Sequence, residues 1–520
     1  MEWLTDIFLP FGFVAVGQDL RGTEKSQGEW SMWQSDKNDS VDLGEWIVSQ
    51  EWSNGQIMTL GASADGIASL QTIVYDPEWL KAQYIIWAPS DMYNIIMPYG
   101  DYKQETTEDW LMGLTMPDPD VVYDNIQTVY DNEARTDYWD GIAGSPERYA
   151  NVKFPTAFWA GWYDLFVVGT LDAFNGYNTM SDESVRYTSK ITVDAMGHCL
   201  DGDGFFTENG KGRTLMVLGQ MFETYGIRPV SRNEIKNITF YVMSSNDEAG
   251  AAAGQFWTSV EEWPKAKMTD LYLTGAGVAS SSPDSGDAEF TSYVVDPADP
   301  AVTNGGNNLP PDIGGSIHCG PDDQSAIDSR DDVLTFDTPV MTEDLYLTGA
   351  LMATLFVSSD AIDTDFMVKI SDLYPTGEAI LIQDNGIRMR WREGGLTPVY
   401  MEKDQVYEVT FSLWNTSWVI PAGHALRVSV QSSNNPRFSV NPQNGILLAD
   451  PAYPGDNVTA TNKIYHSAQY PSRVTLPVVN KHQLPKVHIL KEMQKAYPEL
   501  TLEMAQKFHD GLMGHLKKKY

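Results

Sequence analysis

Cysteine is nearly absent from this chain, with only Cys199 and Cys319 in 520 residues. Two cysteines allow at most one bridge, which excludes a disulfide framework and a cysteine-built zinc site. Two free, buried thiols are the expectation. Basic residues are scarce as well: 35 Lys and Arg stand against 71 Asp and Glu, for a formal charge of −36. Phosphate backbones and anionic membrane surfaces are held by clustered Lys and Arg, so neither nucleic acid nor a membrane is an expected partner. No stretch reaches the roughly 18 consecutive apolar residues that a membrane span requires. Glu2 and Asp6 stand where a secretory leader carries its basic residues, so the first segment does not read as one. The sequons at Asn38, Asn237, Asn415 and Asn457 are no more than chance supplies in this composition. The compartment stays open, cytoplasmic or secreted from a longer precursor.

What the chain does have is size and apolar content. At 520 residues it exceeds one ordinary core, and 42% hydrophobic residues suit two or three packed domains. Its first part alternates strand and helix. Phe13 to Val16 reads as a strand, Leu43, Trp46 and Ile47 as one helix face with Asn38, Asp39 and Ser40 as its cap, and Gln56 to Leu60 as a buried strand. Tyr84 to Ala88 is a further apolar run. After a Pro-broken segment rich in Asp, Tyr, Trp and Met, alternation resumes with strand 156–160, helix 165–177, strand 191–195 and helix 214–225. Such alternation means a parallel sheet covered on both faces, and the interruption reads as a helical cap. From about residue 236 short apolar runs separated by Gly, Pro, Asp and Ser turns indicate a β-sandwich, a jelly roll. The boundaries expected are 1–74 with 153–228 for the α/β domain, 75–152 for the cap, 229–480 for the sandwich and 481–520 for a helical, lysine-rich tail. That tail holds eight Lys, four acids and four of the eight histidines without a tight ligand pair, so it reads as solvated rather than metal-binding.

Chemistry concentrates at Gly61-Ala62-Ser63-Ala64-Asp65-Gly66, between the strand 56–60 and a helix marked by Ile67, Leu70, Ile73 and Val74. A serine between small residues at a strand-to-helix turn is the arrangement of a nucleophile elbow. A serine nucleophile needs a base and an acid that orients the base. His198 is the one histidine in the strand–helix part downstream of Ser63, and it follows strand 191–195. Asp164 ends Gly161-Trp162-Tyr163-Asp164, after strand 156–160. Serine, acid and histidine therefore follow in the α/β-hydrolase order, each after its own strand. Asp194 competes as the acid, but on the strand itself it reads as structural. Asp201-Gly-Asp203-Gly begins like a calcium loop and lacks the remaining oxygen ligands, so it reads as a turn. Neither a metal nor a cofactor is expected.

With these segments in hand the chain resembles the cocaine esterase and X-Pro dipeptidyl-peptidase group of serine hydrolases, the CocE/NonD family. The resemblance rests on Val16-Gly-Gln-Asp-Leu-Arg-Gly22, the elbow, Tyr138-Trp-Asp140, Gly161-Trp-Tyr-Asp164 and Gly197-His198. It continues through Asp331-Asp-Val-Leu334, Asp363-Thr-Asp-Phe-Met-Val-Lys369, Asp384-Asn-Gly-Ile-Arg-Met-Arg390 and Ile420-Pro-Ala-Gly-His424. It implies an α/β-hydrolase domain with a helical cap insertion, followed by a C-terminal jelly-roll β-sandwich. By position it makes Ser63 the nucleophile, Asp164 the acid and His198 the base, with the Ala64 backbone N–H as one oxyanion donor. Phe166 and Trp162, beside the acid, are weaker candidates for substrate contact. Two departures accompany the likeness: Ala64 stands where the family commonly has an aromatic residue, and the family's N-terminal strands, with a tyrosine that gives a second oxyanion donor, have no counterpart. The expectation is an N-terminally truncated serine hydrolase acting on ester or amide acyl bonds, with small esters or X-Pro peptides as substrates. The rival is a weakly active or non-catalytic homologue serving as a binding module. A homo-oligomer is compatible with either. For a dipeptidyl-peptidase, Glu108, Asp109 and Asp118 are candidates to hold a free α-amino group.

Overall fold

Gln56 to Leu60 becomes β1 (Ile57–Ala62), the first strand of a parallel sheet. In this computed structural model, described over residues 2–114, 120–142, 146–198, 208–227, 235–283 and 289–517, β1 pairs with β2 (Leu80–Ile86). β3 (Thr156–Tyr163), β4 (Lys190–Gly197) and β5 (Ile238–Ser244) follow in chain order. β2 to β5 are almost wholly buried, which is why they read as continuous apolar runs rather than alternating ones. The helices Ala64–Gln71, Val167–Met180 and Glu208–Thr224 lie against these strands. β6 (Phe256–Val260) then adds antiparallel to β5.

Two expected boundaries move. β2 lies inside the 75–152 segment assigned to the cap, so the helical insertion runs only between β2 and β3, through helices such as Asp120–Asp131 and Asp137–Ile142. β5 and β6 lie beyond residue 228, yet β5 extends the parallel sheet and β6 adds to its edge. Both shifts have one cause: a sheet strand is defined by its partner, and its sequence does not carry the partner's address. The same reason removes the strand expected at Phe13 to Val16. That stretch has no strand partner among the described residues, and Val14 and Val16 are exposed. The second helix spans Asp36–Val48 and starts earlier than its expected cap.

The remaining strands are β7 (Lys267–Leu273), β8 (Ala279–Ser280), β9 (Phe290–Val295), β10 (Leu334–Asp337), β11 (Leu345–Ser359) and β12 (Asp365–Leu373). They continue with β13 (Ala379–Arg388), β14 (Tyr407–Ile420), β15 (Ala425–Gln431), β16 (Ala460–Tyr465), β17 (Arg473–Val478) and β18 (Lys486–Val487). All of these but β18 form an antiparallel β-sandwich. One sheet runs β14-β11-β17-β7-β8 with β16 and β9 attached, and the other runs β10-β15-β12-β13. The first joins the hydrolase sheet directly, because Trp418 and Val419 of β14 pair in parallel with Met243 and Ser244 of β5.

The tail is helical, as expected, but it is not solvated. β18 pairs with β6, and helices Ile489–Ala496 and Leu502–Lys517 pack on Glu208–Thr224. Ala505, Phe508, Leu512 and Leu516 form a buried stripe at helical spacing, and Lys507 and Lys517 lie on the exposed face. No helix among the described residues is long and apolar enough to cross a membrane.

Candidate active site

β1 ends at Ala62, and the chain turns into helix Ala64–Gln71 at Ser63 with φ 55° and ψ −125°. L-residues rarely adopt that conformation, and it persists only where the surroundings enforce it. Here the Ser63 N–H donates to the Ile86 carbonyl at 2.9 Å, and the Ser63 carbonyl accepts from the Ile67 N–H at 3.0 Å. The flanking glycines make room for the turn. A Cβ on Gly61 would stand 2.2 Å from the Asp65 carbonyl oxygen, and one on Gly66 2.5 Å from the Ala88 Cβ. The Ala64 N–H, in the first turn of its helix, has no intrahelical acceptor.

β3 and β4 are parallel neighbours, so the loops that leave them lie side by side. Asp164 follows the first and His198 the second. Ser63 Oγ lies 2.8 Å from His198 Nε2, and His198 Nδ1 lies 2.9 Å from Asp164 Oδ2. All three side chains are buried. The other Asp164 oxygen, Oδ1, accepts the Phe166 N–H at 2.6 Å. Asp194 is turned elsewhere: it accepts from the Trp159 indole at 3.1 Å and sits 3.6 Å from Arg213 Nε. A hydroxyl, an imidazole and a carboxylate in series can move the hydroxyl proton and stabilise the cation that forms.

A cavity opens over Ser63 and His198. Met32, Trp33, Ile67, Met92, Ile95, Ile96, Trp110, Leu165, Phe166 and Leu309 line it, with Thr106 and Thr107. Phe166 stands edge-on to the His198 ring at 5.0 Å. Trp162, the other residue expected beside substrate, is not there. Its indole donates to the Tyr241 carbonyl at 2.8 Å and packs on Phe240, so contacts with β5 hold it. Glu108 and Asp109 do not line the cavity. The Glu108 carboxylate accepts from Tyr102, Tyr130 and Gln104. Asp118 lies outside the described residues, as do Cys199, Asp201 and Asp203. No group of three or more His, Cys, Asp or Glu that could hold a metal occurs among the described residues.

Residues 2–120 match the family model of the X-Pro dipeptidyl-peptidase (S15 family), and residues 234–475 match that of the X-Pro dipeptidyl-peptidase C-terminal non-catalytic domain. A cocaine esterase from Rhodococcus sp. (strain MB1 Bresler) is 29% identical over 552 aligned positions, covering 92% of this chain and 90% of that protein. The chain belongs to the cocaine esterase/X-Pro dipeptidyl-peptidase-like family of serine hydrolases. The fold agrees with solved structures. An aminopeptidase from a marine sediment Thaumarchaeota archaeon superimposes with a TM-score of 0.76 at 21% identity, over 92% of this chain and 87% of that one. An α-amino acid ester hydrolase gives 0.73 at 22%, with the same coverage.

In this serine hydrolase the sequence reading missed most of the cavity wall. Trp33 stacks on Trp110 at 5.3 Å and 5°, and its indole donates to the Ala64 carbonyl at 3.0 Å. Trp110 follows a π-helical turn, Glu105–Asp109, that carries Thr106 and Thr107 inward. Such turns recur at functional sites, but their sequence looks like any helix start.

Proposed function

We propose that Ser63, His198 and Asp164 form a catalytic triad that cleaves esters with an uncharged, apolar acyl group through an acyl-enzyme. The single observation that carries this reading is the buried hydrogen-bond chain from Ser63 Oγ through His198 to Asp164. His198 Nε2 takes the hydroxyl proton as Ser63 Oγ attacks the carbonyl carbon. Asp164 holds the Nδ1 proton and stabilises the imidazolium. The new oxyanion faces the Ala64 N–H at the helix start. Collapse expels the alcohol, which receives the proton from His198; water, activated by the same nitrogen, then clears the acyl group.

The acyl preference follows from what lines the cavity. A dipeptidyl-peptidase must pair a free α-amino group, and among the described residues no carboxylate lines the cavity. Apolar walls repay contact with apolar acyl groups and penalise a buried ammonium. A fluorophosphonate probe labels Ser63 in the wild type and nothing in Ser63→Ala. A short-chain aryl ester turns over faster than an X-Pro anilide. A folded protein that stays unlabelled and inert on both substrates overturns the triad, while faster anilide cleavage overturns the acyl preference alone.

A further inference from the structure

We propose that a strap of the β-sandwich, from Gly306 to Gly320, is a positioning element for the acid and the base, acting through Asn307 and Cys319. This rests on the triad reading above. The strap is closed at its base. Gly306 N–H donates to the Gly320 carbonyl at 2.8 Å, and Gly320 N–H returns to the Gly306 carbonyl at 3.1 Å. Arg437 anchors that base: it is paired with Asp384 at 2.7 and 2.8 Å and donates to the Gly305 carbonyl at 3.2 Å. A Cβ on Gly306 would meet this guanidinium at 2.4 Å, so the approach requires glycine.

The residue just inside each end of the bridge reaches one catalytic loop. Asn307 Nδ2 donates to the Asp164 carbonyl at 2.9 Å and to the Trp162 carbonyl at 3.1 Å. Its side chain is buried, so these bonds do not compete with water. Cys319 is buried against the loop of the histidine. A Cβ on Gly197 would stand 2.2 Å from its sulfur, so the two are packed in direct contact. Burial pushes the thiol up to about 12, so it is neutral and acts as a packing group rather than a nucleophile. Between these ends Leu309 lines the cavity, and the Ser316 N–H donates to Glu105 Oε1 at 3.0 Å. One covalent span thus sets the separation of the Asp164 and His198 loops from outside the parallel sheet. Displacing a catalytic group by about 1 Å can cost on the order of 100-fold in rate.

The test measures kcat and KM on an aryl ester, with thermal melts to establish folding. Asn307→Leu keeps the branched shape and removes the donor; kcat falls roughly 10- to 100-fold with KM little changed. Cys319→Ala, which vacates the contact with Gly197, lowers kcat roughly 10-fold, and Cys319→Ser, which refills most of that contact, recovers most of the loss. Asp312→Ala, exposed at the strap's tip, leaves both constants unchanged. A folded Asn307→Leu with wild-type kcat overturns the proposal. If that variant does not fold, equal kcat in Cys319→Ala and Cys319→Ser overturns it instead. Ser63→Ala in the same assay separates the two readings: its activity fails with the triad, whatever the strap variants do.

Discussion

At residue scale the most consequential unpaired group is Asp36. It is 4% exposed, and its Oδ2 has no hydrogen-bond partner among the described residues. Burial, then the nearby Asp39 and Asp65 charges, push its carboxyl from 3.8 up to about 7. Between those two values the folded protein holds a proton that the unfolded chain has released. Stability therefore falls as pH rises through this window, and the loss is complete above about 7. Asp36→Asn removes the penalty. Its melting temperature is expected to exceed that of the wild type at pH 8, by the equivalent of about 2–4 kcal/mol, and to match it near pH 4. A pH series of thermal melts checks both the gain and its disappearance.

At the scale of elements the elbow depends on two contacts that only glycine permits. β1 and helix Ala64–Gln71 cross so closely that Gly61 lies against the Asp65 backbone and the Ser69 hydroxyl. Backbone cannot swing aside as a flexible side chain can. Gly61→Ala is expected to cost at least the ~1–3 kcal/mol of an overpacked core. It also displaces Ser63 from His198, so kcat falls further than the loss of folded protein explains. Active-site titration beside the melt separates these effects. The C-terminal helix Leu502–Lys517 belongs at this scale too. His515 Nε2 lies 3.0 Å from Asp65 Oδ2, which ties the end of the chain to the elbow helix.

Across the whole molecule, buried ion pairs join the cap insertion to the sandwich. Glu133 Oε1 accepts from Arg390 Nη2 at 2.7 Å and Nε at 3.0 Å, and from the Trp391 indole at 2.9 Å. Its Oε2 accepts the Leu448 N–H at 2.8 Å. Arg390 also pairs with Asp363 at 2.8 Å. Removing one partner of such a pair leaves buried groups unsatisfied. Glu133→Ala is therefore expected to cost about 3–5 kcal/mol, measured by denaturant unfolding. The cavity is shared in the same way: the hydrolase sheet's loops supply Ser63 and His198, the insertion supplies Thr106, Thr107 and Trp110, and the sandwich supplies Leu309.

The sequence by itself determined the local parts: the elbow with its glycines, the order Ser63, Asp164, His198, and the change from alternating strand and helix to short β runs. These are legible because each depends on backbone sterics or periodicity within a few residues. Only the tertiary structure decided what lies between segments distant in the chain. It left Phe13 to Val16 without a strand partner among the described residues, gave β2 and β5 to the parallel sheet, and folded the lysine-rich tail onto Glu208–Thr224. It also turned Trp162 away from the cavity and brought Trp33, Trp110 and Leu309 to it. Pairing and packing are properties of two surfaces meeting, and one segment specifies only its own.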